Sequence, residues 1–310
     1  MVDITIIGDI NVDIINYPLK IFPEENRQVL TKRIFLSPGG SACNSAIACS
    51  RLGLKTRLIG RLGEDIFSNF VLDKLKEASV DTKIKISKKD ECGLTVAITV
   101  GNSRSFITYK GTNQKLSPED FSEDEIEGRI VSVAGFNLLE NLRKYVKNIF
   151  LNAKEKGMET TLDPNWDPEE WGEKRVNEII ETLRITDIFF PDLEEGKAIS
   201  YTDTPKLIVD KMLMYGPKIV CLKLGEEGCL VAKKGRGELV KPFHVKSLNA
   251  TGTGDVFFAG FIRKYLEGKD IGECALFGNA AAALSTLKFG MERYPTYKDV
   301  NKFLRERGYG

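Results

Sequence analysis

The chain is 310 residues long, 42% hydrophobic and 29% charged, the make-up of an ordinary globular protein with enough chain to bury a large core. Its 45 Lys and Arg nearly cancel 44 Asp and Glu, leaving a net charge of +1. No global basic field draws it to nucleic acid or a membrane surface, so an anionic ligand would have to be met by local arrangement.

The N-terminus opens on a strand-like segment, Met1 to Gly8, without the basic-then-apolar layout of a signal peptide. No apolar run approaches a membrane span. Six cysteines without C-x-x-C spacing and a single histidine, His244, argue against a zinc site and against a Ser-His or Cys-His triad. Reduced, mostly buried thiols in a cytoplasmic protein are the expectation.

Ile4–Ile7 predict a buried strand ending at Gly8. Asp9, Asn11 and Asp13 alternate just beyond it, so on extended backbone their side chains share one face. Ligands of open α/β sheets sit at the carboxyl ends of strands, and three polar groups there suit a hydroxyl-rich one. A solvated loop with an Asx-turn is the competing reading. Gly39-Gly40 then lead into a predicted helix of small residues from Ser41, stopped at Gly53. A strand over Leu54–Gly60 and a helix to about Ala78 follow. Gly93–Val100 and Ser105–Lys110 predict a hairpin around Gly101-Asn102-Ser103-Arg104. With the extended segment 16–36 it would form a small sheet outside the main layer.

From Ile130 the pattern alternates regularly. Strands are predicted at Ile130–Ala134, Glu159–Leu162, Asp187–Phe190, Lys218–Leu224 and Cys229–Lys233. Helices fall at about Leu138–Lys156, Val176–Leu183, Lys206–Tyr215, Asp255–Leu266 and Ile271–Lys288. That alternation implies an α/β fold whose mostly parallel central sheet is covered on both faces. An amphipathic helix over Tyr297–Arg307 closes the chain. No repeat or linker divides it, so residues 1–310 are expected to be one domain.

Asn249-Ala250-Thr251-Gly252-Thr253-Gly254-Asp255 stands before the apolar run Val256–Ile262. Glycines let successive N–H groups turn toward one point, and a helix starting there adds its unpaired amides and the positive end of its dipole. The product is an anion hole with one carboxylate, Asp255, beside it. The plainer alternative is that Asp255 is only an N-cap. No Walker A pattern is present, and the third glycine of a dinucleotide fingerprint is missing. An anion hole plus a hydroxyl-binding face is what phosphoryl transfer to an alcohol requires, and a carboxylate at a helix N-terminus is expected to favour its ionised form.

Over essentially its full length the chain resembles the ribokinase-like sugar kinase (PfkB) family. Gly39-Gly40 with Asn44, Ala48 and Arg51-Leu52-Gly53 looks like the family's first signature. Thr251-Gly252-Thr253-Gly254-Asp255 with Phe257, Gly260 and Phe261 looks like its second. Gly60-x-x-Gly63-x-Asp65, Asp163-Pro164-Asn165, Leu224-Gly225-x-x-Gly228 and Asn279-Ala280-Ala281-Ala282 fall in the family's order. The resemblance implies a three-layer α/β/α fold with a β-sheet lid, its strands within about 12–36 and 92–112. It implies Asp255 as catalytic base, with the amides leading to Gly252, Thr253 and Gly254 binding the transferring phosphate. It places Asn11, Asp13, Gly39, Gly40, Asn44 and Tyr109 at the acceptor. Lys223, Gly225, Gly228, Asn249, Thr251 and Asn279 go to the nucleotide. Mg2+ would arrive with ATP near Asp192 and Glu195, a monovalent cation is a further expected cofactor, and the lid would pair two copies into a homodimer.

Three positions depart from the family's pattern. Asn249 replaces the Asp that usually opens the second signature, Asp192 replaces Asn in Asn-x-x-Glu, and Asp167 stands near where an arginine often follows Asp-x-Asn. Lys223 is the expected compensation for the missing arginine. The acceptor stays open among sugars, sugar phosphates, polyols and nucleosides, the donor between ATP and ADP, and a non-catalytic sensor on the same scaffold is the reading from another class. An acidic acceptor would call for cations in the crevice, and Arg33, Arg104 and Lys110 are available.

Overall fold

Ile4, Ile6 and Ile7 are all fully buried, and along extended backbone they divide between the two faces of a sheet. Ile4 and Ile6 enter one apolar core and Ile7 a second. Strand β1 (Ile4–Gly8) is thus sandwiched between two layers of helix. The computed structural model describes residues 1–101 and 103–309.

After β1 come β2 (Asn11–Asn16), β3 (Ile34–Gly39), α1 (Ser41–Arg51), β4 (Thr56–Gly63), α2 (Ile66–Glu77) and β5 (Asp81–Ser87). The hairpin β6 (Gly93–Val100) and β7 (Ser103–Tyr109) ends the first part. Then follow β8 (Ile130–Ala134), α3 (Glu140–Arg143), α4 (Val146–Glu155), β9 (Glu159–Asp163), α5 (Glu173–Leu183) and β10 (Ile188–Phe189). Next are α6 (Leu193–Ser200), α7 (Pro205–Tyr215), β11 (Ile219–Lys223), β12 (Cys229–Lys233) and β13 (Arg236–Val240). Helices α8 (Thr253–Tyr265), α9 (Ile271–Ser285) and α10 (Tyr297–Arg305) finish the chain.

Nine strands form the large sheet in the order β13-β12-β11-β10-β9-β8-β1-β4-β5. Its neighbours are parallel except at β12, which is antiparallel to β11 and β13. Phe258 and Phe261 of α8, Ala281 of α9 and Ile47 of α1 cover one face. Phe150 of α4, Ile179 of α5 and Met212 of α7 cover the other. The expected three-layer α/β/α arrangement is present. All six cysteines are buried and unpaired.

A separate sheet runs β3-β2-β6-β7. Residues opposite one another across strands share a face, so its register sorts its side chains. Asp13, Ser37, Thr95 and Thr108 form one row, and Thr99 with Arg104 lies on the same face. That face turns toward the body, where Ile15 and Ala97 are buried. Ile14, Leu36, Val96 and Ile107 form a row on the opposite, apolar face.

The structure corrects several expectations. Among the described residues, Asn11–Asn16 and Ile34–Gly39 are the segments of this stretch that pair as strands, with a bridge between Leu19 and Val100 in addition. Pro18 and Pro23 supply no N–H for a ladder there. The hairpin pairs Val100 with Ser103, so Ser103 and Arg104 belong to β7, while Asn102 of the expected turn lies outside the described residues, as does Gly310. The helix expected over Leu138–Lys156 is two helices, α3 and α4, parted at Lys144–Tyr145. Strands β5 and β13 and helix α6 were not expected.

Candidate active site

Helix α8 starts at Gly252, whose φ of 67° is left-handed, a conformation that favours glycine. The entry is held by an Asx-turn, Thr251 N–H donating to Asn249 Oδ1 at 3.0 Å. Among the described residues no side chain caps the helix. Thr253 N–H makes only a long 3.4 Å contact to the Ala250 carbonyl, so the first turn can still present N–H groups to an anion. Asp255 does not cap it either. Its carboxylate accepts from Ser41 Oγ at 2.5 Å and from Asn44 Nδ2 at 2.9 Å, both on α1. Asn44 is oriented by Tyr294, whose hydroxyl donates to Asn44 Oδ1 at 2.7 Å. The N-cap of α1 is Gly40, φ 83°, where a Cβ would overlap the backbone of Asp9.

Burial pushes the Asp255 carboxyl up to about 7, and the nearby Asp163 charge adds to that. The Ser41 and Asn44 hydrogen bonds oppose the rise without cancelling it. Burial thus works against the ionised form expected of a carboxylate at a helix N-terminus.

Asn11 and Asp13 are buried on β2. Asn11 Oδ1 accepts from Asn113 Nδ2 at 2.6 Å, and Asn113 in turn accepts from the Ile10 amide. Burial pushes Asp13 up to about 8, with the Arg293 guanidinium opposing and the Asp255 and Asp9 charges adding. A Cβ on Gly39 would overlap the Asp13 carboxylate, so glycine leaves that carboxylate its place against β3. Asp9 is drawn away from this pair. It accepts from the Ala42 amide at the start of α1 at 3.0 Å, and burial raises it to about 6.

Lys223, at the end of β11, lies on the other flank of the α8 start. A Cβ on Gly254 would stand 3.4 Å from its Nζ, and that ammonium pairs with Asp163 at 2.9 Å. Burial pulls Lys223 down, but the Asp163, Glu195 and Asp192 carboxylates outweigh it and hold it above its ordinary value. Asp192 N-caps α6 in a reciprocal box with Glu195. Glu195 is buried and pushed well up, first by desolvation and then by Asp192. Asp167 is buried beside Arg175 at 3.4 Å.

Other expected positions are placed differently. Tyr109 pairs with Leu94 in the row of Val12, on the face of the small sheet opposite Asp13, and is 49% exposed. Side chains alternate along a strand, so the structure does not bring Tyr109 to Asp13 and Asp255. Asn279 spends its amide N–H groups on the carbonyls of Val240 and Lys241 and anchors the end of β13. Gly225 and Gly228 shape the turn after β11, both with positive φ.

Ser41, Asn113, Tyr294 and Arg293 were not singled out by sequence reasoning. Ser41 could have been found from its spacing, three residues before Asn44 on one helix face. Arg293 carries no such signal.

Comparison with known proteins shows the family. A family model described as pfkB family carbohydrate kinase matches residues 1–296. A 5-dehydro-2-deoxygluconokinase of Clostridium botulinum is 29% identical, over 87% of this chain and 84% of its own. A ribokinase of Haemophilus influenzae is 26% identical, over 97% of this chain and 98% of its own. Among solved structures, an E. coli protein named as a candidate ribokinase II, with ATP and Mg2+ bound, superposes with a TM-score of 0.87 at 23% identity, covering 99% of this chain and 100% of its own. The chain belongs to the PfkB family of carbohydrate kinases, phosphotransferases that act on an alcohol group.

Proposed function

We propose that this kinase transfers the γ-phosphoryl group of ATP to a hydroxyl of a sugar or sugar-like acceptor, with Asp255 as the general base. The observation that carries the reading is the juxtaposition at the start of α8. A carboxylate held by Ser41 and Asn44 stands beside a helix N-terminus with no side-chain cap. The base takes the proton of the attacking hydroxyl, and fixed amide dipoles receive the charge on the transferring phosphoryl. Asn11 and Asp13 would hold the acceptor's other hydroxyls from the small sheet. Lys223 would meet the phosphates from the opposite flank. ATP as donor is supported by the ATP-bound fold neighbour.

Magnesium fits as a partner of the nucleotide. Among the described residues no group of three or more metal-ligating side chains comes together. Asp163, Asp192 and Glu195 around Lys223 are hard oxygen donors, suited to the water shell of an ion held mainly by phosphates. Bound there, Mg2+ would neutralise charge on the phosphate chain. The small sheet would act as a lid, and its apolar face, with Ile34, Leu36 and Ile107 exposed, would pair two copies into a homodimer.

The test is a panel of sugars, sugar acids, sugar phosphates, polyols and nucleosides, assayed with ATP and with ADP. The reading expects ATP-dependent phosphorylation of a sugar-like member. No turnover of any member with ATP overturns it.

A further inference from the structure

Two arginines converge on Thr251, at the entry to α8. Arg293, in the turn before α10, is 1% exposed. Its Nη2 donates to the Thr251 carbonyl, while its Nε and Nη1 have no hydrogen-bond partner among the described residues. A Cβ built on Gly252 would stand 3.3 Å from that Nη1, 3.2 Å from Asp255 Oδ2 and 2.9 Å from Asn44 Nδ2. The free edge of the guanidinium therefore lies among the base and its holders.

Arg104 reaches the same place from the small sheet. It sits on the face of β7 that carries Asp13, and its Nη1 donates to the Thr251 hydroxyl at 3.4 Å. Arg104 is exposed as a residue, and partial desolvation, then the nearby Arg293 charge, hold it below its ordinary value. Neither arginine makes an ion pair among the described residues. The turn that bears Arg293 is braced from the small sheet, Phe35 stacking on Phe289 with ring centroids 4.0 Å apart.

Burying one guanidinium with free N–H groups, and aiming a second at it, is costly unless an anion joins them. The other cations that could reach an acidic acceptor are occupied. Lys110 pairs with Glu140 and Glu169 at 2.6 Å each, and Arg33 lies over the Phe35 ring. The transferring phosphoryl has its own cation, Lys223, on the opposite flank beside Gly254. Of the charges acting on Asp13, on the acceptor side, that of Arg293 is the largest.

We infer that Arg104 and Arg293 form a subsite for an anionic group on the acceptor, a carboxylate or a phosphate, so that the preferred acceptor is a sugar acid or a sugar phosphate. The inference rests on the kinase reading above and narrows it. A guanidinium paired with an oxyanion gains a charge-assisted, bidentate contact that a neutral sugar cannot supply.

The experiment compares matched probes with the full chain: D-gluconate against D-glucose for the carboxylate, and D-fructose 6-phosphate against D-fructose for the phosphate. Both kcat/KM with ATP and direct calorimetric binding are measured. In at least one pair the anionic member should be preferred about tenfold or more, and Arg104→Gln should remove about tenfold of that preference. Which pair responds identifies the anion. Arg293→Lys, which keeps the charge but not the fork, should lower the same ratio while Arg293→Gln lowers it further. Preference for the neutral member in both pairs overturns the inference. So does an Arg104→Gln variant that loses kcat equally on neutral and anionic probes, which would place the arginine on the transferring phosphoryl. Absence of turnover of all four with ATP counts against the kinase reading, and the binding titrations then still decide the subsite.

Discussion

Ser41 and Asp255 are 214 positions apart in sequence, and the serine hydroxyl donates to the aspartate carboxylate at 2.5 Å. One residue opens α1 and the other lies in the first turn of α8, so the base is fixed by the packing of two helices and not by its own loop. Removing the hydroxyl should act on the proton affinity of Asp255 more than on the fold. A hydrogen bond to a charged group is worth about 1.5–3 kcal/mol, or roughly one to two pKa units. Ser41→Ala should therefore move the ascending limb of the kcat–pH profile upward by about a unit, with maximal kcat approached at higher pH. An unmoved limb would detach Ser41 from the base.

The wild-type profile is itself a prediction. Asp255 is raised to about 7, and a general base works only when ionised. Activity should rise with pH through about 7 and level above it, in steady-state kinetics at saturating substrates. A limb near the ordinary carboxylate range would mean that substrate binding or another group sets the profile.

Asp255→Asn should fold and bind nucleotide. The new amide can donate to Ser41 Oγ while its oxygen accepts from Asn44, so both contacts survive. It cannot accept the acceptor's proton, and kcat should fall by about 10² or more.

Stability should move the other way in that variant. A carboxyl whose folded-state pKa is raised binds its proton more tightly in the native state than in the unfolded chain. The native state therefore loses stability as pH rises from the ordinary value of 3.8 through about 7 for Asp255, and through about 8 for Asp13. The neutral amide removes that loss. At pH 8 the melting temperature of Asp255→Asn should exceed wild type by a few degrees, and at pH 5 the difference should shrink. Equal melting temperatures at both pH values would refute the burial argument.

Closure of the small sheet should appear in hydrogen exchange. The amides of Gly93–Val100 and Ser103–Tyr109 should become more protected when a turned-over acceptor binds, because water must be excluded from phosphoryl transfer. Identical exchange with and without acceptor would remove the lid assignment. Replacing Ile107 by Asp should abolish a dimer seen by sedimentation while leaving each copy folded.

The elements that were readable in the sequence are those with a strong local signal. Ile4–Ile7, the small-residue helix from Ser41 and the alternation after Ile130 all lie where apolar patterning and glycines point one way. The missed elements lack it. Strand β5 alternates Ile84 and Ile86 with lysines at the edge of the sheet, and β13 is mostly exposed, with Gly237 as its second residue. The box of Asp192 and Glu195 was noticed, yet taken for a metal motif and not also for the start of α6. At the candidate site, Asn11, Asp13, Asn44 and Asp255 stand out in the sequence because they follow glycines or alternate along a strand. Arg293 and Tyr294 were not, since their roles come from tertiary packing alone. Tyr109 lies on the face away from Asp13; the face of a strand residue follows from pairing register, which no local pattern in that hairpin specifies.

Only Asp9 and Ile10 separate β1 of the large sheet from β2 of the small one. If the small sheet closes as a lid, Asn11 and Asp13 would travel with it while Asp255 stays with the body. Any tilt about that two-residue joint alters the gap between Asp13 and Asp255 first. A water molecule in place of the acceptor spans too little to draw the two together. In the kinase proposed above, that joint would hold back idle hydrolysis of nucleotide until a full-sized acceptor completes the site.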